Sequence, residues 1–144
     1  MKKVIFRIRQ FALLLWGDVC EYFGAIYDAV RLYFAIKLAD AKQRAYNKRY
    51  FVMPDYLNKL TVLNNDDIKW LKRAHLMRKK VSHLEIMRDC FYYTPLSRNE
   101  AGSRMSAEER LARKDKWLSY MERVRRRANM RKLEQLKAKH NGKK

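Results

Sequence analysis

Catalysis needs a nucleophile beside a base, paired carboxylates, or metal ligands at workable spacing, and this chain offers few of them. Its three histidines, His75, His83 and His140, form no His-x-x-x-His or Glu-x-x-His arrangement. His83 and Cys90 are seven residues apart and can share a helix face. A lone pair of this kind is the pattern of packed side chains more than of a zinc site or a thiol nucleophile. No Gly-rich phosphate loop and no Walker pattern occurs. What remains is Asp18, Glu21 and Asp28, three acids on one arc of the first segment. They could hold a divalent cation. In a chain with 34 basic and 15 acidic side chains, a formal +19, the stronger expectation is that they face arginines, from this chain's last helix or from a neighbour. The expected class is non-enzymatic, with no cofactor and no metal.

Those acids lie on an expected helix from about Val4 to Tyr50, uninterrupted by proline before Pro54. On a helical projection Ile8, Leu15, Val19, Tyr22, Ile26 and Tyr33 share one side, flanked by Ala12, Trp16, Phe23 and Val30. This apolar arc covers roughly half the helix, wider than the ~100° stripe of an ordinary surface helix. Covering about ten such side chains at roughly 1.5–3 kcal/mol each would contribute some 15–30 kcal/mol as an upper bound. The opposite, narrower arc carries Gly17, Asp18, Glu21, Gly24, Ala25 and Asp28, with Leu14 and Leu32 intruding. Its two glycines permit close helix approach, although each costs a helix roughly 1 kcal/mol against alanine. Trp16, Gly17, Asp18, Glu21, Gly24 and Asp28 therefore mark the expected protein interface.

The same stretch does not read as a membrane span. Arg7 and Arg9 precede only eight uncharged residues before Asp18, and Glu21, Asp28 and Arg31 follow, whereas a span needs about 20 mostly apolar residues. The N-terminus imitates a signal peptide, but those arginines interrupt the apolar run and no small-residue cleavage site follows. Two distant cysteines, Cys20 and Cys90, fit buried thiols in a reducing compartment better than a disulfide framework, with a single bridge as the alternative.

Four glycines and two prolines leave few turn signals, so the expected fold is all-α: a long N-terminal helix, short central helices and a long basic C-terminal helix. After Pro54 a short helix over Asp55–Leu60 and another over 66–80 are expected, the latter opened by Asn/Asp capping in "NNDD". Ser82 with Glu85 is a capping-box pattern for a helix near 83–93, with a strand through "DCFYY" as the weaker alternative. Residues 1–96 would thus form a helical core and interface region. Residues 97–106 read as a hinge. Residues 107–144 read as a basic helix to about Lys139, opened by a Ser106/Glu109 capping box, with a fraying tail.

That last segment, from residue 97, holds 16 basic and 6 acidic residues, more than half of the excess charge. Charge of this size in a compact protein calls for an anionic partner. Arg113, Lys114, Arg123, Arg125, Arg126, Arg127, Arg131 and Lys132 are the candidate phosphate contacts. They are not confined to one side, so base-specific reading in a groove is not expected and non-specific phosphate contact is. Tyr46, Tyr50, Phe51, Tyr92 and Tyr93 lie among or near basic residues and read as core edge or as stacking partners for bases. A membrane surface is disfavoured because the polar arc of the first helix is acidic.

The Lys/Tyr/Asn-containing basic chain, with its N-terminal "FRIRQFALLLWGDVCEYFGAIYDAVRLYFAIKLADAKQRAY", resembles small basic virion proteins of crAss-like phages, of the auxiliary capsid type. The resemblance implies a non-enzymatic role in an oligomeric assembly, beside coat or other virion proteins and with the positive side toward packaged DNA. It also implies location in the virion, and in the host cytoplasm before assembly. A free-standing helical nucleic-acid-binding protein is the second expectation.

Overall fold

A computed structural model describes residues 2–97 and 104–141, with side chains from residue 15 onward except those of residues 137 and 139–141. The side chains of Ile8, Ala12 and Leu14, residues 98–103 of the expected hinge and residues 142–144 of the expected tail lie outside the described residues. The order of elements is α1 (Lys2–Tyr46), β1 (Tyr50–Pro54), β2 (Leu60–Asn64), α2 (Asn65–Arg73), α3 (His83–Asp89), β3 (Tyr92–Tyr93) and α4 (Ala107–Asn141). The all-α expectation is overturned: a three-stranded antiparallel sheet of order β2-β1-β3 joins the helices, giving a helix-rich mixed fold.

Local chemistry explains the correction. Helix α1 stops at Tyr46 because Asn47 takes φ 52°, its N–H donating to the Gln43 carbonyl at 2.8 Å. Asparagine tolerates this left-handed position better than other non-glycine residues. The freed segment "YFVMP" is aromatic and β-branched, "LTVLN" carries β-branched Thr61 and Val62, and the two pair from Tyr50 opposite Asn64 to Pro54 opposite Leu60. The expected Asp55–Leu60 helix is instead the hairpin turn. Asp55 Oδ1 accepts the N–H groups of Leu57 and Lys59, both at 2.8 Å, and Asn58 supplies φ 59°. An Asp side chain closing a turn in this way needs no glycine.

The expected helix over 66–80 is shorter. Its start is as read, with Asn64 and Asp67 completing a capping box. It ends at Arg73 in a Schellman motif. Leu76 N–H donates to Leu71 O at 3.0 Å and His75 N–H to Lys72 O at 3.3 Å, with His75 at φ 56° where glycine is usual. The Ser82/Glu85 capping box opens α3 as expected. Helix α3 then ends at Asp89, and Tyr92–Tyr93 form the third strand, Phe51 opposite Tyr93 and Val52 opposite Tyr92.

The chain divides into two compact units. One holds the residues up to Ala29 with those from Leu118, and the other holds Val30–Trp117. In the second unit both faces of β1 are covered. Phe51 packs with Ile68, Ile86 and Cys90, and Met53, Leu63, Met77 and Tyr93 surround them. On the other face Val52 and Tyr92 are buried, and the Tyr92 hydroxyl donates to Asp40 Oδ1 of α1 at 2.7 Å. Thr94 closes the edge, its N–H donating to Tyr50 O and its Oγ1 accepting from Tyr50 N–H, both at 2.9 Å. Cys20 and Cys90 are both free thiols. Burial pushes the Cys90 thiol up to about 11, against the opposing pull of the Arg113 guanidinium, so it stays protonated and inert at neutral pH. Among the described residues no helix is long and apolar enough to cross a membrane.

Candidate functional site

The first unit is a pair of helical segments, and its polarity is the reverse of an ordinary amphipathic pair. Asp28 is 1% exposed and forms an ion pair with Arg125 of α4. Gly24 makes that approach possible: a Cβ there would lie 3.3 Å from Arg125 Cζ and Nε, so any larger residue would push the guanidinium aside. The neighbour anticipated for this arc is thus the chain's own last helix, at Gly24 and Asp28. Trp16, Gly17, Asp18 and Glu21, the rest of the expected interface, are exposed. Among the described residues no group of three His, Cys, Asp or Glu side chains could hold a metal ion.

Large apolar residues of α1 point to solvent. Leu15, Trp16, Val19, Tyr22, Phe23, Ile26 and Tyr27 are all exposed in the first unit, Trp16 by 68% and Phe23 by 63%. Along the helix Trp16, Val19, Phe23, Ile26, Val30 and Tyr33 are spaced alternately by three and four residues, which is the seam spacing of a coiled-coil helix. Val30 and Tyr33 are exposed as well. The residues of α1 that are buried are mostly small or polar instead, Asp28, Ala35, Ala39 and Gln43, with Leu32 the one large apolar side chain among those described. Periodicity finds both stripes, but only the structure shows which one faces inward.

The basic residues of α4 fall into two groups. Arg113, Lys116 and Arg125 serve the fold. Arg113 is only 12% exposed; it donates to Glu109 at 2.7 Å and to the Cys90 carbonyl, and lies 5.2 Å from the Tyr93 ring centre. Lys116 reaches the carbonyls of Arg88 and Asp89 at the end of α3, both at 3.4 Å. These attachments account for two of the eight candidate phosphate contacts, Arg113 and Arg125. Sequence reasoning missed the role of Lys116, whose only signal is its place one residue before the buried Trp117.

The second group is turned outward. Lys114, Arg123, Arg126, Arg127, Arg131 and Lys132 are exposed, and Arg126 pairs with Glu122 one turn earlier. Arg123, Arg127 and Arg131 recur every four residues, so they form one row whose positions are about 6 Å apart along the helix. Lys114 and Lys132 lie on other sides of it. Such a row can follow a line of phosphates but has no geometry for reading base edges. The candidate stacking aromatics separate too: Tyr50, Phe51 and Tyr92 are buried, Tyr93 is half-buried, and only Tyr46 is exposed, by 67%.

No protein-family model matches the chain, no curated protein matches it, and no solved structure matches it.

Proposed function

We propose that the chain is a non-enzymatic component of an assembly. It docks on a partner protein through the apolar seam of α1 and contacts nucleic acid through the outward basic row of α4. The observation that carries this reading is the exposed seam from Trp16 to Ile26, on a helix whose buried stripe holds Asp28, Ala35, Ala39 and Gln43 with Leu32 as its one large apolar side chain among those described. An apolar face of this size on a soluble chain marks an interaction surface. Its three-four spacing suits a helix of the partner, and a strongly basic chain suits a polyanion. Together with the resemblance of residues 6–46 to small basic virion proteins of crAss-like phages, these features favour an auxiliary capsid-type role. In that role the partner is a shell protein, the nucleic acid is the packaged DNA, and the protein resides in the virion after assembly in the host cytoplasm.

Two measurements test the reading. Mass spectrometry of purified particles from the source should show the chain as a stoichiometric component, and its absence would remove the virion role. Binding to duplex DNA should weaken steeply with salt. Replacing Arg123, Arg127 and Arg131 by Gln should flatten the slope of log K against log salt by about 2.7, the equivalent of three phosphate contacts at roughly 0.9 each. An unchanged slope would take the row out of the interface. A well-folded monomer that binds DNA and ignores shell proteins would favour the free-standing nucleic-acid-binding reading.

A further inference from the structure

The second unit contains a pocket of about 300 Å³ between α1, β3 and the start of α4, at the lower end of the size range of small-molecule sites. Among the described residues its lining carries four cations, Lys37, Arg44, Arg104 and Arg110, and one carboxylate, Asp40. That carboxylate is already engaged, since Asp40 Oδ1 accepts the Tyr92 hydroxyl at 2.7 Å. Arg110 is held beside the site, its guanidinium 5.7 Å from the centre of the Tyr92 ring. Gln43, also in the lining, is only 6% exposed, and its side-chain Nε2 is buried with no hydrogen-bond partner. A buried amide donor left unpaired costs stability, so it marks a position where an acceptor belongs.

These features select a ligand by elimination. Among the described lining residues the cations outnumber the one carboxylate, which disfavours a cationic ligand. A small acceptor-rich anion suits Arg104 and Arg110 in bidentate fashion and the Gln43 amide with a further oxygen, as phosphate oxygens do. Beside the cations, Pro95 and Met105 give the lining a less polar part for the body of the molecule. We propose that this pocket binds a phosphate ester of about mononucleotide size. A free nucleotide and the terminal phosphate of a nucleic-acid strand present the same chemistry. The site is separate from the Arg123–Arg127–Arg131 row and does not rest on the virion reading.

Titration calorimetry at about 0.15 M ionic strength, where loose surface attraction is screened, provides the test, with ADP and inorganic pyrophosphate as probes. The expected result is one ADP or one pyrophosphate per chain. Arg110→Gln and Gln43→Leu should each weaken it about tenfold, the typical effect of losing one hydrogen bond to a charged group. Arg123→Gln/Arg127→Gln/Arg131→Gln should leave it unchanged. Arg104 is exposed, so Arg104→Gln tests the same site without touching the core should Gln43→Leu lower stability. A 5′-phosphorylated oligothymidine that displaces ADP, where its 5′-hydroxyl counterpart does not, would assign the pocket to strand ends. Displacement by neither would assign it to free nucleotides. Failure of both ADP and pyrophosphate to bind would overturn the proposal. So would wild-type affinity in the pocket variants, or loss that follows the α4 triple variant.

Discussion

Residues Val30–Trp117 and the helical pair formed by the two ends of the chain dispose of their large side chains in opposite ways. In the first region Phe51, Ile86 and Trp117 are at most 2% exposed. A sheet of twelve residues suffices there because β1 is central and both its faces are covered. In the helical pair, Asp28 and Met121 are the buried residues among those described, and the aromatic residues of α1 lie outside. The comparison teaches where each region obtains its stability. The sheet region holds itself by apolar burial, whereas the pair is joined by an ion pair over a glycine and leaves its apolar surface exposed. Desolvating charges offsets much of what an ion pair contributes, so the pair is the weaker of the two.

The contrast can be broken most directly in the core. Phe51→Ala should lower unfolding free energy by about 3–5 kcal/mol, whereas Phe23→Ala should change it by no more than about 0.5 kcal/mol, the usual range for an exposed side chain. Urea unfolding of the two variants decides the matter. Equal losses would mean that the seam is already covered in the free chain, and the contrast would fail.

Next in size is the ion pair. Arg125→Met leaves the Asp28 carboxylate buried without its cation, and should cost about 3 kcal/mol, the low end for a broken buried pair because Arg125 is itself 30% exposed. Asp28→Leu/Arg125→Met should recover most of that loss, since two apolar side chains can replace the pair at little cost. If the double variant is as unstable as the single, packing rather than charge joins the two segments.

The smallest effect is one of pH. Burial raises the Cys90 thiol from an ordinary 9.0 to about 11. Burial first, and then the hydrogen bond to Asp40, raises the Tyr92 hydroxyl from its ordinary 10.0. Below pH 9 both protons are held in the folded and unfolded chains alike, and stability is at its full value. From there upward the unfolded chain releases them first, so stability should fall as pH rises toward about 11. Tyr92→Phe should flatten the decline above pH 10 while costing about 1 kcal/mol at neutral pH for the lost hydrogen bond. Thermal unfolding followed from pH 8 to 11 would show it, and a Tyr92→Phe profile parallel to the wild type would refute the assignment.

Several features of this fold were legible in the residues themselves. Long uninterrupted periodicity and scarce glycine and proline predicted α1 and α4. Ser and Asn followed three residues later by Glu or Asp predicted the starts of α2 and α3, because capping is a contact between near neighbours in the chain. The sheet was less legible. Its boundaries depend on Asn47 and Asn58 taking left-handed conformations more usual for glycine, and the pairing of β1 with β3 joins residues some 40 positions apart.

The sequence by itself therefore determined the helical bulk of the protein, its caps, its charge and the existence of two stripes on α1. Each of these is set by interactions within a few turns of the chain, or by composition. Only the tertiary structure decided which stripe is buried, which arginines are tied to Cys90 and Asp28, and that Lys37, Arg44, Arg104 and Arg110 line one pocket with Gln43. The physical reason is that burial is a property of what else arrives at a surface. Arg125 takes the Gly24 and Asp28 side of α1 and Tyr92 reaches Asp40, while Val30 and Tyr33 stay exposed.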